Sequence, residues 1–194
     1  MYQKILNKGY RFKPIKTKRL VLVKPSLKYV NDYYNILLNK NLWKLNGGGD
    51  NKHTKIDVKK SILDKIKLWK KQNKFSFFIL YNNELIGSIG SFNENLNHKS
   101  LEFGYLIKYE FWNKGLGTEA LNAYLNWIFT NTSINRISAC VATPHIASVK
   151  VIEKNGFIRE GIMKEAALYH NKRYDNYLYA ILKKDWVKRN KSKK

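Results

Sequence analysis

Phe111-Trp112-Asn113-Lys114-Gly115-Leu116-Gly117-Thr118-Glu119-Ala120 is the stretch on which the reading of this chain turns. It follows a run with strand character, Leu101-Glu102-Phe103-Gly104-Tyr105-Leu106-Ile107. It opens an amphipathic run in which Leu116, Ala120, Leu121, Tyr124, Leu125, Ile128 and Phe129 recur at helical spacing. Strand, glycine loop, helix is the order that an anion site requires. Glycines at 115 and 117 omit the Cβ atoms that would hold a phosphate off the backbone, and the first amides of the helix, unpaired within it, carry the positive end of its dipole. The loop is a candidate diphosphate cradle. Two glycines in one turn equally suit a plain tight turn feeding a helix, so the motif decides nothing alone. A Walker loop, with four residues between its glycines and Gly-Lys-Ser/Thr at its end, does not fit, nor does a dinucleotide fingerprint, whose third glycine would stand at Ala120.

The 194 residues suffice for one substantial core, and a single domain over 1–194 is expected. With 44% hydrophobic and 14% aromatic residues, the chain can fold despite its charge. No apolar run approaches the roughly 20 residues that cross a bilayer, and the basic N-terminus leads into no signal-like core, so a soluble, cytoplasmic protein without membrane association is the expectation. The one cysteine, Cys140, has no intramolecular disulfide partner, and with four scattered histidines it makes no zinc motif, so no metal site is expected. It lies in an apolar run and reads as an inert core residue. The net charge of +23 predicts attraction to a polyanion, such as the ribosome or a polyphosphorylated cofactor. A Lys- and Asn-rich composition from biased coding sequence gives the same number, and both readings stand.

In chain order, residues 1–17 carry few apolar positions in any period and read as an irregular lead-in. Residues 19–23 form a short strand closed by Pro25, with Ser26 capping a helix to about Asn39 that turns Val30, Tyr33, Ile36 and Leu37 inward. Leu45–Asn51, with three successive glycines, reads as a mobile loop beside a substrate cleft. A helix follows from about Lys55 to Asn73 with Ile56, Ile62, Leu63, Ile66 and Trp69 on one face. Strands over 75–81 and 84–92 meet at Asn82-Asn83, whose tolerance of positive φ suits a tight hairpin, and 93–100 is a polar loop before the strand 101–109. This first half is an antiparallel meander. Beyond the central helix, 136–142 has the look of an interior strand, parallel to 101–109 through the helical crossover. A short helix over 146–154 stops at Asn155-Gly156, strands over 157–163 and 174–182 close the fold, and the basic tail from Lys183 frays.

With these elements in place, the chain resembles the GNAT acetyltransferase superfamily, and within it the branch of ribosomal-protein N-terminal acetyltransferases. Four segments over about residues 17–185 carry the likeness. They are Tyr109-x-Phe111-Trp112-x-Lys114-Gly115-x-Gly117-Thr118-Glu119-Ala120; Asn135-Arg136-Ile137; Ala147-Ser148-x-x-Val151-Ile152-Glu153-Lys154-Asn155-Gly156-Phe157; and Glu160-Gly161 with Tyr174-Asp175 behind. The resemblance implies an α/β (α+β) fold with a mixed, twisted sheet, a splayed parallel pair and helices on both faces. It implies acetyl-CoA as co-substrate, its pyrophosphate on the amides of Lys114, Gly115, Leu116, Gly117 and Thr118 and its pantetheine along the backbone of Leu106 and Ile107. Trp112 stands where the family's commonest loop begins with Gln or Arg, and reads as a core aromatic.

The implied reaction is attack of a neutral amine on the thioester carbonyl, which needs a proton acceptor for the amine, a donor for the oxyanion and a donor for the departing thiolate. Ser148 matches the family's serine near the sulfur. Glu102, in the cleft-lining strand, is the candidate proton acceptor, and His145 is a candidate base or donor. Some ribosomal acetyltransferases carry a glutamate nineteen residues after the serine; here that position is Ala167, with Glu102 or Glu165 as replacements. Tyr174 and Asp175 match a turn near the acceptor end or serve only structural hydrogen bonds. The favoured acceptor is a protein N-terminal amine, a ribosomal protein's included. A small amine such as an antibiotic or polyamine is the alternative, although a polycation cleft would need a carboxylate cluster that fourteen Asp and Glu make hard to build. A non-catalytic CoA- or RNA-associated module is the rival from another class, and monomer and homodimer both remain open.

Overall fold

The computed structural model describes residues 6–7, 9–43, 53–72, 74–169 and 171–191. The elements run β1 (Ile15–Lys16), β2 (Leu20–Val23), a 3-10 turn (Leu27–Tyr29), α1 (Val30–Leu38), α2 (Lys40–Trp43), α3 (Lys55–Lys71), β3 (Ser76–Tyr81), β4 (Glu84–Asn95) and β5 (Ser100–Ile107). After a second 3-10 turn (Tyr109–Phe111) come α4 (Leu116–Asn131), β6 (Arg136–Ala142), α5 (Ile146–Lys154), β7 (Ile158–Tyr169), β8 (Lys172–Leu182) and α6 (Lys183–Lys191). The glycine-rich stretch Leu45–Asn51 lies outside the described residues.

All eight strands form one mixed sheet in the order β1-β2-β3-β4-β5-β6-β8-β7. Each neighbouring pair is antiparallel except β5 with β6, which α4 connects as a parallel crossover. The hairpin between β3 and β4 turns at Asn82 and Asn83, both at positive φ (48° and 65°), as the sequence predicts. Alternation along β3 sorts the core into two layers. Phe77 and Ile79 point to the α4 side, where Tyr124, Trp127 and Ile128 cover them, while Phe78 and Leu80 point to α1 and α3, against Tyr33, Ile36 and Ile62. Helices therefore cover both faces, and β5 runs through the middle with its C-terminal end at the foot of α4.

Five expectations are corrected. Ser26 starts the 3-10 turn without a side-chain cap bond, and the true cap box is at α3, where Thr54 and Asp57 exchange hydrogen bonds. On α3, Ile56 and Leu63 are exposed and Val58 is buried instead, because the helix is lodged by Val58, Ile62 and Trp69. The described part of the lead-in is packed and ends in β1 rather than being irregular throughout: Tyr10 lies edge-on to Trp127, whose indole donates to its hydroxyl (2.6 Å), and Phe12 lies edge-on to Trp69. From Lys183 to Lys191 the tail is helical rather than frayed, held by Trp186 against Phe129 and by the Arg189 guanidinium on the Lys154 carbonyl. The polar segment 93–100 is likewise shorter than expected, since β4 continues to Asn95.

Candidate functional site

Strand β5 pairs with β6 only over Ser100, Leu101 and Glu102, opposite Arg136, Ile137 and Ser138. Each strand stays bonded on its far side, β5 to β4 as far as Ile107 and β6 to β8 as far as Ala142. The inner edges of 103–107 and 139–142 are thus held apart. A gap of this kind leaves backbone groups to be satisfied by an extended chain. The cleft beside it encloses about 240 Å³ and is lined from β5 by Tyr105, Leu106 and Ile107, from the glycine loop, and from α5 by Ala147, Ser148 and Val151. The Ile107 carbonyl already accepts from the Trp112 indole (2.6 Å), and the Leu106 carbonyl turns toward β4, where a Cβ on Gly87 would collide with it. Trp112 is partly buried between both core layers, in keeping with its reading as a packing residue.

At the mouth, Asn113 (φ 57°) and Gly115 (φ 74°) take left-handed backbone, and Gly115 is the N-cap of α4. The first bond within the helix is Glu119 N–H to Gly115 O (3.1 Å), so geometry leaves the amides of Leu116, Gly117 and Thr118 without helical partners. Lys114 and Gly115 are exposed. What sets the loop is a contact that sequence reasoning missed. Arg19 places its Nε 2.7 Å from Glu119 Oε2 and donates through Nη1 to the Lys114 carbonyl (2.9 Å), while Thr17 Oγ1 (2.6 Å) and the Arg19 amide (2.8 Å) donate to Glu119 Oε1. Burial alone would raise the Glu119 pKa, but the bonds from Thr17 and Arg19 outweigh it and hold the carboxyl below its usual range. An acid in the first turn of α4 was the available signal; its partner stands 100 residues upstream.

At the inner end, Ser148 is buried, and the Tyr105 hydroxyl donates to its Oγ (3.3 Å). Burial raises the Tyr105 pKa, so the phenol stays protonated. His145 caps α5: its Nδ1 accepts from the Ser148 amide (3.4 Å), and burial pulls its pKa down. A neutral ring whose Nδ1 accepts carries its proton on Nε2. Ser148, His145 and the glycine loop therefore share one cleft, with Tyr105 as the member that sequence reasoning missed.

Glu102 lies elsewhere, at the last β5–β6 pair where the strands part. Its Oε2 accepts from Asn93 Nδ2 (3.1 Å), and it neighbours Cys140. Cys140 is exposed rather than in the core, because Ser138, Cys140 and Ala142 alternate onto the face opposite Ile137 and Ala139. Desolvation and the nearby Glu102 carboxylate push its thiol up to about 11, which keeps it protonated. Glu165 is exposed on a kink of β7, its amide donating to Asp175 Oδ1 (2.9 Å). Asp175 also takes Lys164 (2.9 Å), so its hydrogen bonds hold the β7–β8 bulge.

Residues 19–158 match the family model described as an acetyltransferase (GNAT) domain. The putative ribosomal N-acetyltransferase YdaF of Bacillus subtilis (strain 168) is 30% identical over 122 residues, 61% of this chain and 67% of that protein. Spermidine N(1)-acetyltransferase of Vibrio cholerae is 29% identical over 105 residues, 54% of this chain and 61% of its own. With 65% of the uncharacterized N-acetyltransferase p20 of Bacillus licheniformis and 56% of YoaA of Bacillus subtilis matched, the chain spans about two thirds or less of the length of these relatives. A solved structure described as RimL, ribosomal L7/L12 alpha-N-protein acetyltransferase, in complex with coenzyme A, superposes with a TM-score of 0.80. It is 21% identical and is covered over 98% of its length by 88% of this chain, which shows a shared fold.

Proposed function

This chain belongs to the GNAT acetyltransferase family, and from that premise we propose that it transfers the acetyl group of acetyl-CoA to the N-terminal amine of a protein. The observation that carries the reading is one continuous cleft, with the amides of the glycine loop at its mouth and the Tyr105–Ser148 hydrogen bond at its inner end. The co-substrate's pyrophosphate would lie on the Lys114–Thr118 amides at the positive end of α4. Its pantetheine would run as an added strand along the parted edge of β5 between Phe103 and Ile107, without the Leu106 carbonyl, which faces β4, or the Ile107 carbonyl, which Trp112 holds.

The residues then divide the chemistry. The acceptor amine loses its proton through water to Glu102, and its lone pair attacks the thioester carbonyl. The oxyanion of the tetrahedral intermediate needs a donor already in place, and the Nε2–H of neutral His145 can fill that role without titrating. When the C–S bond breaks, the Ser148 hydroxyl donates to the leaving thiolate while Tyr105 holds the serine oxygen with its own proton. A neutral His145 serves as donor and not as base. Glu102, which stands outside the cleft where β5 and β6 part, is then the carboxylate left for the amine proton, and water must bridge to it; Ala167 stands where some ribosomal relatives carry a glutamate.

Release of CoA thiol, followed in a spectrophotometric assay with N-terminal peptides and with small amines including spermidine, tests the reading. Turnover of peptides ahead of polyamines supports it, and turnover of spermidine alone would move the acceptor to the small-amine class. Acetyl-CoA binding without thiol release on any acceptor would leave a non-catalytic binding module.

A further inference from the structure

A second cavity, of about 660 Å³, lies on the other face of the sheet between α3 and strands β3, β4 and β5. Its floor has little side-chain bulk, because the register sets Ser76 opposite Gly90 and Gly90 opposite Gly104 across three strands. A Cβ on Gly90 would collide with the Ser76 hydroxyl, so the floor is a trench by construction. It leads to Tyr105 and Leu106, which also line the co-substrate cleft. A chain lying in it would bring its end to the place where the thioester is expected.

Lysines outnumber acids on the trench wall by three to two among the described residues: Lys60, Lys65 and Lys74 stand against Asp57, held in the cap of α3 with Thr54, and the exposed Asp64, 3.9 Å from Lys67. Half-buried Lys65 donates to the Ser61 hydroxyl (2.6 Å), and among the described residues no carboxylate forms an ion pair with it. Lys74 is ion-paired with the largely buried Glu94 (3.6 Å), which leaves Lys65 as the half-buried lysine for an incoming anion. Burial first, and then the charge of Lys74, lowers the Lys65 pKa, and Asp64 offsets them only in part. An incoming carboxylate would relieve that deficit; an incoming polyamine would deepen it.

We infer that this trench receives the first residues of the acceptor chain and selects acidic ones, so that the preferred substrate is a polypeptide N-terminus with Asp or Glu among its second to fourth residues. The inference rests on the protein-amine reading above and refines it. Three residues in extended form span about 10 Å, so it is positions two to four that would lie along the trench past its shared end at Tyr105 and Leu106.

The test uses peptides that share a first residue and carry Asp, Asn or Lys at positions two to four. Their binding to the CoA-loaded protein is measured by calorimetry and their acetylation by thiol release. The acidic peptide is expected to bind about five- to tenfold more tightly than the neutral one at low salt, with the ratio falling as salt rises. In Lys65→Gln, checked by thermal melting, the ratio falls toward one. Equal binding of acidic and neutral peptides, or preference for the basic one, overturns the inference even if all are acetylated. Acid-selective, Lys65-dependent binding with no thiol release from any peptide would uphold the trench and sink the acetyl-transfer reading instead.

Discussion

Strand β5 lives two lives. Over Ser100–Glu102 it is an interior strand bonded on both edges, with Leu101 buried against Ile137; from Phe103 to Ile107 it keeps β4 and loses β6. The lower half is structure and the upper half is site, although both belong to the same eight residues. Pairing does not fail in the upper half for lack of suitable residues. There Tyr105 bonds to Ser148 on α5, while β4 and β8 hold the two parted strands on their far edges. A functional gap in a sheet thus needs firm neighbours on both sides, and that contrast can be attacked by substitution.

The largest expected effect falls in the lower half. Ile137→Ala empties a fully buried position and should lower unfolding free energy by about 2–5 kcal/mol in a denaturant melt, while the CoA affinity of the folded fraction stays as it was. A matching loss of CoA affinity would erase the distinction between the halves. Next comes Ser148→Ala, expected to cut kcat roughly 10²-fold with little change in the KM for acetyl-CoA, since a donor to the leaving group acts in the transition state. Gly115→Val forces a β-branched residue to φ 74° and should weaken CoA binding about 10- to 100-fold by calorimetry. Arg19→Gln removes the clamp on Lys114 O and Glu119 without touching the amides, so a rise of about fivefold in the KM for acetyl-CoA is expected, with kcat nearly kept.

The smallest effect is one of pH, and its sign follows from His145. Its pKa is lower folded than unfolded, so the unfolded chain binds the proton more readily. Stability from the neutral ring is complete above the ordinary histidine range near 6.5 and is lost as pH falls below it. A midpoint of thermal unfolding that falls modestly from pH 7 to pH 5.5, and does so less in His145→Asn, whose amide can still cap α5, is the expected result. Equal slopes in the two proteins would mean that the cap does not titrate.

The same contrast explains what the residues disclosed in advance. The glycine loop, the parallel crossover, and the pairing of Ser148 with its helix were readable because each is written in one contiguous stretch with a physical requirement of its own. Glu119 could be seen as an acid at a helix start, but not the Arg19 that it meets, since nothing local joins residues 100 apart. The α3 face was misjudged because Ile56 and Val58 are both apolar near one end, and only packing against β3 chooses between them. Tyr105 went unremarked as one aromatic in a strand of apolar residues; its importance comes from the gap into which it points. The tail was misread because nine residues with one tryptophan and five Lys or Arg have almost no amphipathic signature, yet Trp186 finds Phe129 across the fold.

That last contact has a consequence for the order in which the molecule can be completed. Domains made by the ribosome emerge from the N-terminus, so the meander and α4 are available long before α6 is synthesised. Yet Arg189 grips the C-terminal carbonyl of the helix that bears Ser148, and Trp186 anchors that grip to α4. A nascent chain stalled short of Trp186 would hold α5 without these two contacts, so the cleft between the glycine loop and Ser148 should take its final shape only after α6 has emerged and docked.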